Sequence, residues 1–187
     1  MKRRSLLPAL GAAVALLPRA VHAQHDGWAQ FARGGVAVLL RHAQTEPGIG
    51  DPPGFRLDDC ATQRNLSAAG REQAQRIGVA FRARQVHVDE VRSSRWCRCL
   101  DTARLAFPRH DVQPLEALNS FFDDRSLAPA QTAALRRYVQ QLGRRNAVLV
   151  THMVNIAALA GGGVAMGEAV LVRAASGGVE TVGRLPL

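Results

Sequence analysis

The sequence predicts an α/β fold, with helices packed on a mostly parallel central sheet. Two apolar runs, Val36-Ala37-Val38-Leu39-Leu40 and Ala147-Val148-Leu149-Val150, have the short, unbroken character of strands buried on both faces. Between and after them, segments with helical spacing alternate with further short apolar runs, the order expected of a βαβ sheet. Each run also ends beside a histidine, Arg41-His42 after the first and Thr151-His152 after the second. Loops at the carboxyl ends of strands build the sites of open α/β sheets, so two histidines at one edge point to an enzyme that acts on an anion.

The first strand is expected over about Gly35 to Leu40. The segment Gln44 to Asn65 contains Pro47, Gly48, Gly50, Pro52, Pro53 and Gly54, a density of breakers that excludes regular structure and marks a long functional loop. Ser67 then caps a helix to about Arg84, with Ala74, Ile77 and Phe81 spaced along one buried face. A short strand around Val88 to Arg92 leads into Ser93-Ser94, and a helix from about Arg95 to Phe107 is closed by Pro108. A loop from Pro114 to Ser126 precedes a helix from about Pro129 to Leu142. The Ala147 to Val150 strand follows, then a short helix from Val154 and two strands near Ala169 to Ala174 and Val179 to Leu185.

Met1-Lys2-Arg3-Arg4 followed by the apolar stretch Leu6 to Leu17 is a secretory signal pattern, residues 1–23. Val21-His22-Ala23 offers small residues at the cleavage positions, so cleavage is expected before Gln24. The apolar stretch is shorter than a relaxed spanning helix, and no stable membrane span is expected after cleavage. An uncleaved N-terminal anchor is the rival reading; with either, the globular part is expected to be periplasmic or secreted. Residues 24–187 then suit one domain with a substantial core.

The chain carries 24 Lys+Arg against 15 Asp+Glu, a formal net charge of +9. Lys2, Arg3, Arg4 and Arg19 lie in the leader, so the remainder keeps only a modest basic excess. Lys2 is the only lysine, and the planar fork of arginine suits bidentate phosphate contact. A basic balance also suits nucleic acid, but no basic run, aromatic-interleaved patch or recognition motif accompanies it. Of the three cysteines, Cys97 and Cys99 sit too close together to bridge comfortably. A disulfide from Cys60 to one of them is expected, with a Cys-x-Cys metal site as the weaker rival.

A phosphoryl group needs its charge gripped, and the strand ends supply what is required. Arg41 sets a fixed cation beside His42, and a neutral imidazole is a competent nucleophile toward phosphorus, forming a phosphohistidine that water later cleaves. His152 is expected to hold equatorial oxygens as a cation. Arg98 opens a helix whose N-terminus adds positive potential at the same sheet edge. A histidine at a strand end is, taken singly, more often structural than catalytic; it is the pairing that raises the functional reading.

Four segments resemble the histidine phosphatase superfamily, which includes the phosphoglycerate mutases and acid phosphatases. Leu39 to Thr45 looks like its Arg-His-Gly-x-Thr signature, and Leu66 to Ala74 like its Leu-Thr-x-x-Gly-x-x-Gln-Ala helix start. Ser94 to Ala103, with Arg98, Thr102 and Ala103 in register, resembles its Ser-x-x-x-Arg-x-x-x-Thr-Ala segment, and Val150-Thr151-His152 its Val-Thr-His. The resemblance implies a three-layer αβα sandwich of phosphoglycerate mutase-like type. It also implies His42 as nucleophile, with Arg41, Arg98 and His152 binding the phosphoryl group and no metal or other cofactor.

The family's proton donor is where the match fails. Met153 follows His152 in place of an aspartate, and aligning Leu118-Asn119-Ser120 on the family's Leu-x-Glu puts Ser120 at the acid position. Asp124, Asp123 and Glu116 are the candidates, with Asp124 favoured; a solvated Asp-Asp-Arg turn is the structural alternative. Ala43 replaces a glycine and is expected to narrow the pocket, as is Met153-Val154-Asn155, in which Asn155 either adds a polar contact or caps the helix. The insertion Glu46 to Asn65, with Arg56, Asp58, Asp59 and Arg64, is expected to border the pocket. The leader and this loop resemble a secreted bacterial subgroup that includes lipopolysaccharide-core heptose phosphatases. The expected activity is phosphomonoester hydrolysis on a phosphorylated small molecule or glycan, the alternatives being a phosphoryl mutase or a non-catalytic phosphate-binding module.

Overall fold

The computed structural model describes residues 27–187, so the expected leader, residues 1–23, lies outside the described residues. The chain forms α1 (Gly27–Ala32), β1 (Ala37–Arg41), α2 (Ala68–Ala83), β2 (Glu90–Ser93), α3 (Cys97–Ala106), β3 (Val112–Pro114), α4 (Ala128–Gln140), β4 (Ala147–Thr151), α5 (Met153–Ala160), β5 (Ala169–Ala175) and β6 (Gly178–Leu185). The strands make one sheet in the order β3-β2-β4-β1-β5-β6. The four strands from β3 to β1 run parallel, whereas β5 is antiparallel to β1 and to β6.

Strand alternation divides the core into two layers. Val38 and Leu40 of β1, with Val148 and Val150 of β4, meet Phe31 of α1, Ile77 and Phe81 of α2, and Ala103 of α3. Ala37, Leu39 and Leu149 on the opposite face meet Leu135 and Val139 of α4 and Ile156 of α5. The result is the expected αβα sandwich, and the continuous apolar runs are explained because both faces of β1 and β4 are covered.

Local signals set most boundaries. The Ser67 hydroxyl accepts a 3.1 Å hydrogen bond from the Gly70 N–H at the start of α2, a cap that contributes about 1 kcal/mol. Pro129 occupies the first turn of α4, where no amide donor is required. Three elements depart from expectation. The strand β3 and the helix α1 are three and six residues long, too short to show a period, and β3 ends in Pro114 at the sheet edge. The long loop contains one turn of 3-10 helix at Cys60–Thr62, capped by the Asp59 side chain.

The disulfide joins Cys60 to Cys97, with Cα atoms 5.7 Å apart, and leaves Cys99 buried and reduced. It fastens the loop between β1 and α2 to the first residue of α3. Among the described residues no helix is long and apolar enough to cross a membrane, and no group of three His, Cys, Asp or Glu side chains is placed to hold a metal ion.

Candidate active site

The sheet order brings the two histidines together. Because β4 inserts between β2 and β1, Arg41 and Thr151 are register partners on adjacent parallel strands, and the His42 amide donates to the Thr151 carbonyl at 3.0 Å. The next residue on each strand is a histidine, and their rings stand 5.4 Å apart. Gly70 makes this possible from behind, since a Cβ there would lie 1.8 Å from the Gln44 carbonyl oxygen, two residues past His42.

The two rings are polarised differently. Nδ1 of His42 lies 2.9 Å from the Ala43 carbonyl, which has no proton to give, so Nδ1–H donates and Nε2 keeps its lone pair. Burial, reinforced by Arg98, Arg41 and Arg64 and only partly offset by the Ala43 contact, lowers the His42 pKa to about 3. Nε2 of His152 lies 2.9 Å from the Ser94 hydroxyl, and Trp96 packs edge-on against the same ring. Burial and the surrounding positive charge push its pKa well below the usual histidine value too. The expectation that His152 works as a cation is therefore corrected for the resting site: both imidazoles are neutral at pH 7.

Fixed charge comes from arginines. Arg98, in the first turn of α3, is buried; its Nη1 donates to Asp51 at 2.7 Å and its Nε has no partner among the described residues. Arg41 donates from Nη1 to the Val164 carbonyl at 2.7 Å, and its Nε is likewise unpartnered. Arg64, from the long loop, completes the cluster while bonding the Gly50 carbonyl at 2.7 Å and the Thr45 hydroxyl. Asp51 is the counterweight. Burial pushes its pKa up, but Arg98, the Arg64 amide and the Trp96 indole N–H outweigh it and keep the carboxylate ionised. Three guanidiniums against one buried carboxylate leave an excess of two positive charges, which matches a phosphate dianion.

These groups line a cavity of about 210 Å³ that also includes Gly48, Ile49, Gly50, Ser120, Phe122, Asp123, Met153, Val154 and Met166. Two larger depressions, one beside α2 and one along β6, contain neither histidine. Arg41, His42, Arg98 and His152 thus share one cavity, and the Glu46 to Asn65 insertion borders it. Its Arg56, Asp58 and Asp59 instead pair with one another away from the cavity.

The expected acid is not among the lining residues. The Asp124 carboxylate accepts from the Ser126 amide at 3.0 Å and from the Ser126 hydroxyl, capping the turn Arg125–Leu127, and Glu116 lies on the exposed side of another turn. Asp123, one residue earlier, is on the cavity wall. Two more expectations change. The Ala43 methyl does not narrow the cavity; it packs against Leu66 and Ala74, and its amide donates to Thr102. Asn155 lies inside α5 and donates to the Asn119 carbonyl at 2.8 Å, so it neither caps the helix nor lines the cavity. Asp51 is the site residue that sequence reasoning missed, because an aspartate amid glycines and prolines reads as turn chemistry.

Residues 37–121 match the family model described as "Histidine phosphatase superfamily (branch 1)". No curated protein matches by sequence. Among solved structures, phosphoserine phosphatase from Entamoeba histolytica in complex with 3-phosphoglyceric acid superposes with a TM-score of 0.64 at 14% identity, covering 81% of this chain and 97% of that one. A mycobacterial glucosyl-3-phosphoglycerate phosphatase with bound VO3 gives 0.58 at 20% identity, over 80% and 98%. The alpha-ribazole phosphatase from Shigella flexneri gives 0.57 at 21% identity, over 81% and 96%. At these identities the likeness is one of fold. Residues 37–121 thus match the histidine phosphatase superfamily in sequence, and the chain shares the fold of these solved phosphatases over about four fifths of its length.

Proposed function

We propose that the protein hydrolyses a phosphomonoester through a phosphohistidine on His42. The observation that carries this reading is the Nδ1 contact to the Ala43 carbonyl, which leaves a neutral imidazole with a free Nε2 beside three guanidiniums. Nε2 attacks phosphorus as the ester P–O bond breaks, and the displaced oxygen takes a proton. Arg41, Arg98 and Arg64 balance the equatorial oxygens, while His152 donates to one of them and Ser94 holds its ring. Water then attacks the phosphohistidine, breaking the N–P bond and releasing inorganic phosphate.

Asp123 supplies the proton to the leaving oxygen. Asp51 is unsuited because three donors hold it ionised, and Asp124 is unsuited because its carboxylate is turned to Ser126. Export to the periplasm or beyond is part of the same reading. It is supported by the leader pattern and by the Cys60–Cys97 disulfide, which persists in oxidising compartments.

Hydrolysis of an aryl phosphate and of an alkyl phosphate tests the assignment. His42→Ala is expected to lose turnover of both by at least about 1,000-fold. Asp123→Asn should slow the alkyl ester about 100-fold and the aryl ester far less, because an activated leaving group barely needs a proton. Asp124→Asn should leave the ratio of the two unchanged. Phosphate binding without turnover of either ester would contradict the proposal and favour the non-catalytic module.

A further inference from the structure

The cavity mouth carries exposed apolar side chains, and it sits against the cradle of Arg41, Arg64 and Arg98. Six large apolar side chains are exposed among those residues, and three of them, Ile49, Phe122 and Met153, line this one cavity. Single exposed apolar residues are common and need no explanation, but three on the rim of one small pocket form a patch. They come from three separate segments: the glycine-flanked tip of the long loop, the segment before α4, and the first turn of α5. Met166 lies on the same wall.

The rim is held in place rather than merely left bare. The Arg125 guanidinium stacks over the Phe122 ring at 5.4 Å, and a Cβ placed on Gly50 would lie 3.7 Å from the edge of that ring, so the loop tip passes close to it. Ile49, 89% exposed, stands between Gly48 and Gly50, and Gly50 is anchored through its carbonyl to Arg64. Arg64 and Asp51 therefore fix the apolar tip and the anion cradle together. Outside the cradle, the only polar side chains on the walls are Ser120 and Asp123, and the Ser120 hydroxyl already accepts from the Phe122 amide at 3.2 Å. A polyhydroxylated group would lose water here and find few partners, whereas a hydrocarbon would cover three exposed apolar side chains.

We infer that the group esterified to the phosphate is apolar, an alkyl or aryl chain that packs on Ile49, Phe122 and Met153 while the phosphate lies among Arg41, Arg64 and Arg98. The inference rests on the proposed phosphate site but not on turnover. It narrows the substrate class from phosphorylated small molecules or glycans in general to those with hydrocarbon next to the phosphate. The rim residues set specificity and take no part in bond making.

Binding of non-hydrolysable phosphonates to the full chain after leader removal tests it separately from catalysis. Affinities are measured by calorimetry for methyl-, butyl-, hexyl- and octylphosphonate, for phenylphosphonate, and for glucose 6-phosphate in the His42→Ala background. Affinity is expected to rise about twofold per methylene, less than full burial gives because the rim is half open, and octylphosphonate should exceed glucose 6-phosphate by at least about tenfold. Phe122→Ala and, separately, Ile49→Ser should each flatten the chain-length series, read as the ratio of octyl to methyl affinity so that any general weakening cancels. Phenylphosphonate binding above methylphosphonate but below hexylphosphonate would assign an alkyl chain over an aryl ring. A flat series, or glucose 6-phosphate binding as tightly as octylphosphonate, would overturn the inference even if the protein hydrolyses phosphate esters. Tight chain-length-dependent binding with no turnover of any ester would sustain it and count against the phosphatase reading instead.

Discussion

At the residue scale the proposed chemistry depends on keeping two histidines neutral beside three arginines. Burial is the largest contribution in both cases, so the cost appears as a pH dependence of stability. The sign follows from proton counting. Below its ordinary value near 6.5 each histidine binds a proton when unfolded but not when folded, so acid favours unfolding. Between about pH 6 and pH 4, stability is expected to fall by about 1.4 kcal/mol per pH unit on account of His42, with a further fall in the same direction from His152, measured by urea unfolding. His42→Gln should remove one histidine's share of that slope, and an unchanged slope would contradict the assignment. Arg64 offers a second check, as its role in the cradle was not separable from loop composition in the sequence. Arg64→Gln keeps the donors to Gly50 but removes a charge, and it should weaken inorganic phosphate binding by about tenfold, more at low salt than at high.

At the element scale, the loop between β1 and α2 supplies much of the candidate site. Its backbone has almost no regular pairing, and it is held instead by Arg64, Asp51 and the disulfide to α3. The Cys60–Cys97 bond spans 37 residues of sequence, and removing it as Cys60→Ser is expected to cost about 2–4 kcal/mol of stability. Thermal unfolding reads this directly. The same variant should raise KM more than it lowers kcat, since the loop positions the cradle while His42 sits on the sheet. Gly70→Ala acts from the other side. Its methyl would meet the Gln44 carbonyl, so the segment after His42 must shift, and about 1–3 kcal/mol of stability should be lost with it. Sequence patterns read the helices and central strands well because periodicity and caps report them, as with Ser67 and Pro129. They could not read how the loop folds back, because Asp51 reaches Arg98 only through tertiary structure and leaves no periodic trace. The choice between the neighbouring carboxylates was illegible for a related reason. Asp123 and Asp124 are adjacent and chemically identical, and only the turn at Arg125–Leu127 decides which one faces the cavity.

At the scale of the whole molecule, the sheet order does the assembling. Placing β4 beside β1 turns two separate strand-end histidines, 110 residues apart in sequence, into one site. That much was legible, because both strands announced themselves as buried apolar runs with the same polar ending. The edge strand β3 and the helix α1 were not, being too short for any period to emerge. Export belongs to this scale as well. Protein recovered from a periplasmic fraction is expected to begin at Gln24 on N-terminal sequencing; a chain retained in the cytoplasm with an intact leader would contradict that part of the account.

The central claim is that His42 carries the phosphoryl group. The protein is mixed with an aryl phosphate, quenched in alkali within milliseconds, digested, and the peptide containing His42 is weighed. The account predicts one phosphoryl group on that peptide, lost on brief acid treatment and absent from the His42→Ala protein. Turnover at full rate with no phosphate on His42, or with phosphate retained on the His42→Ala protein, would contradict it.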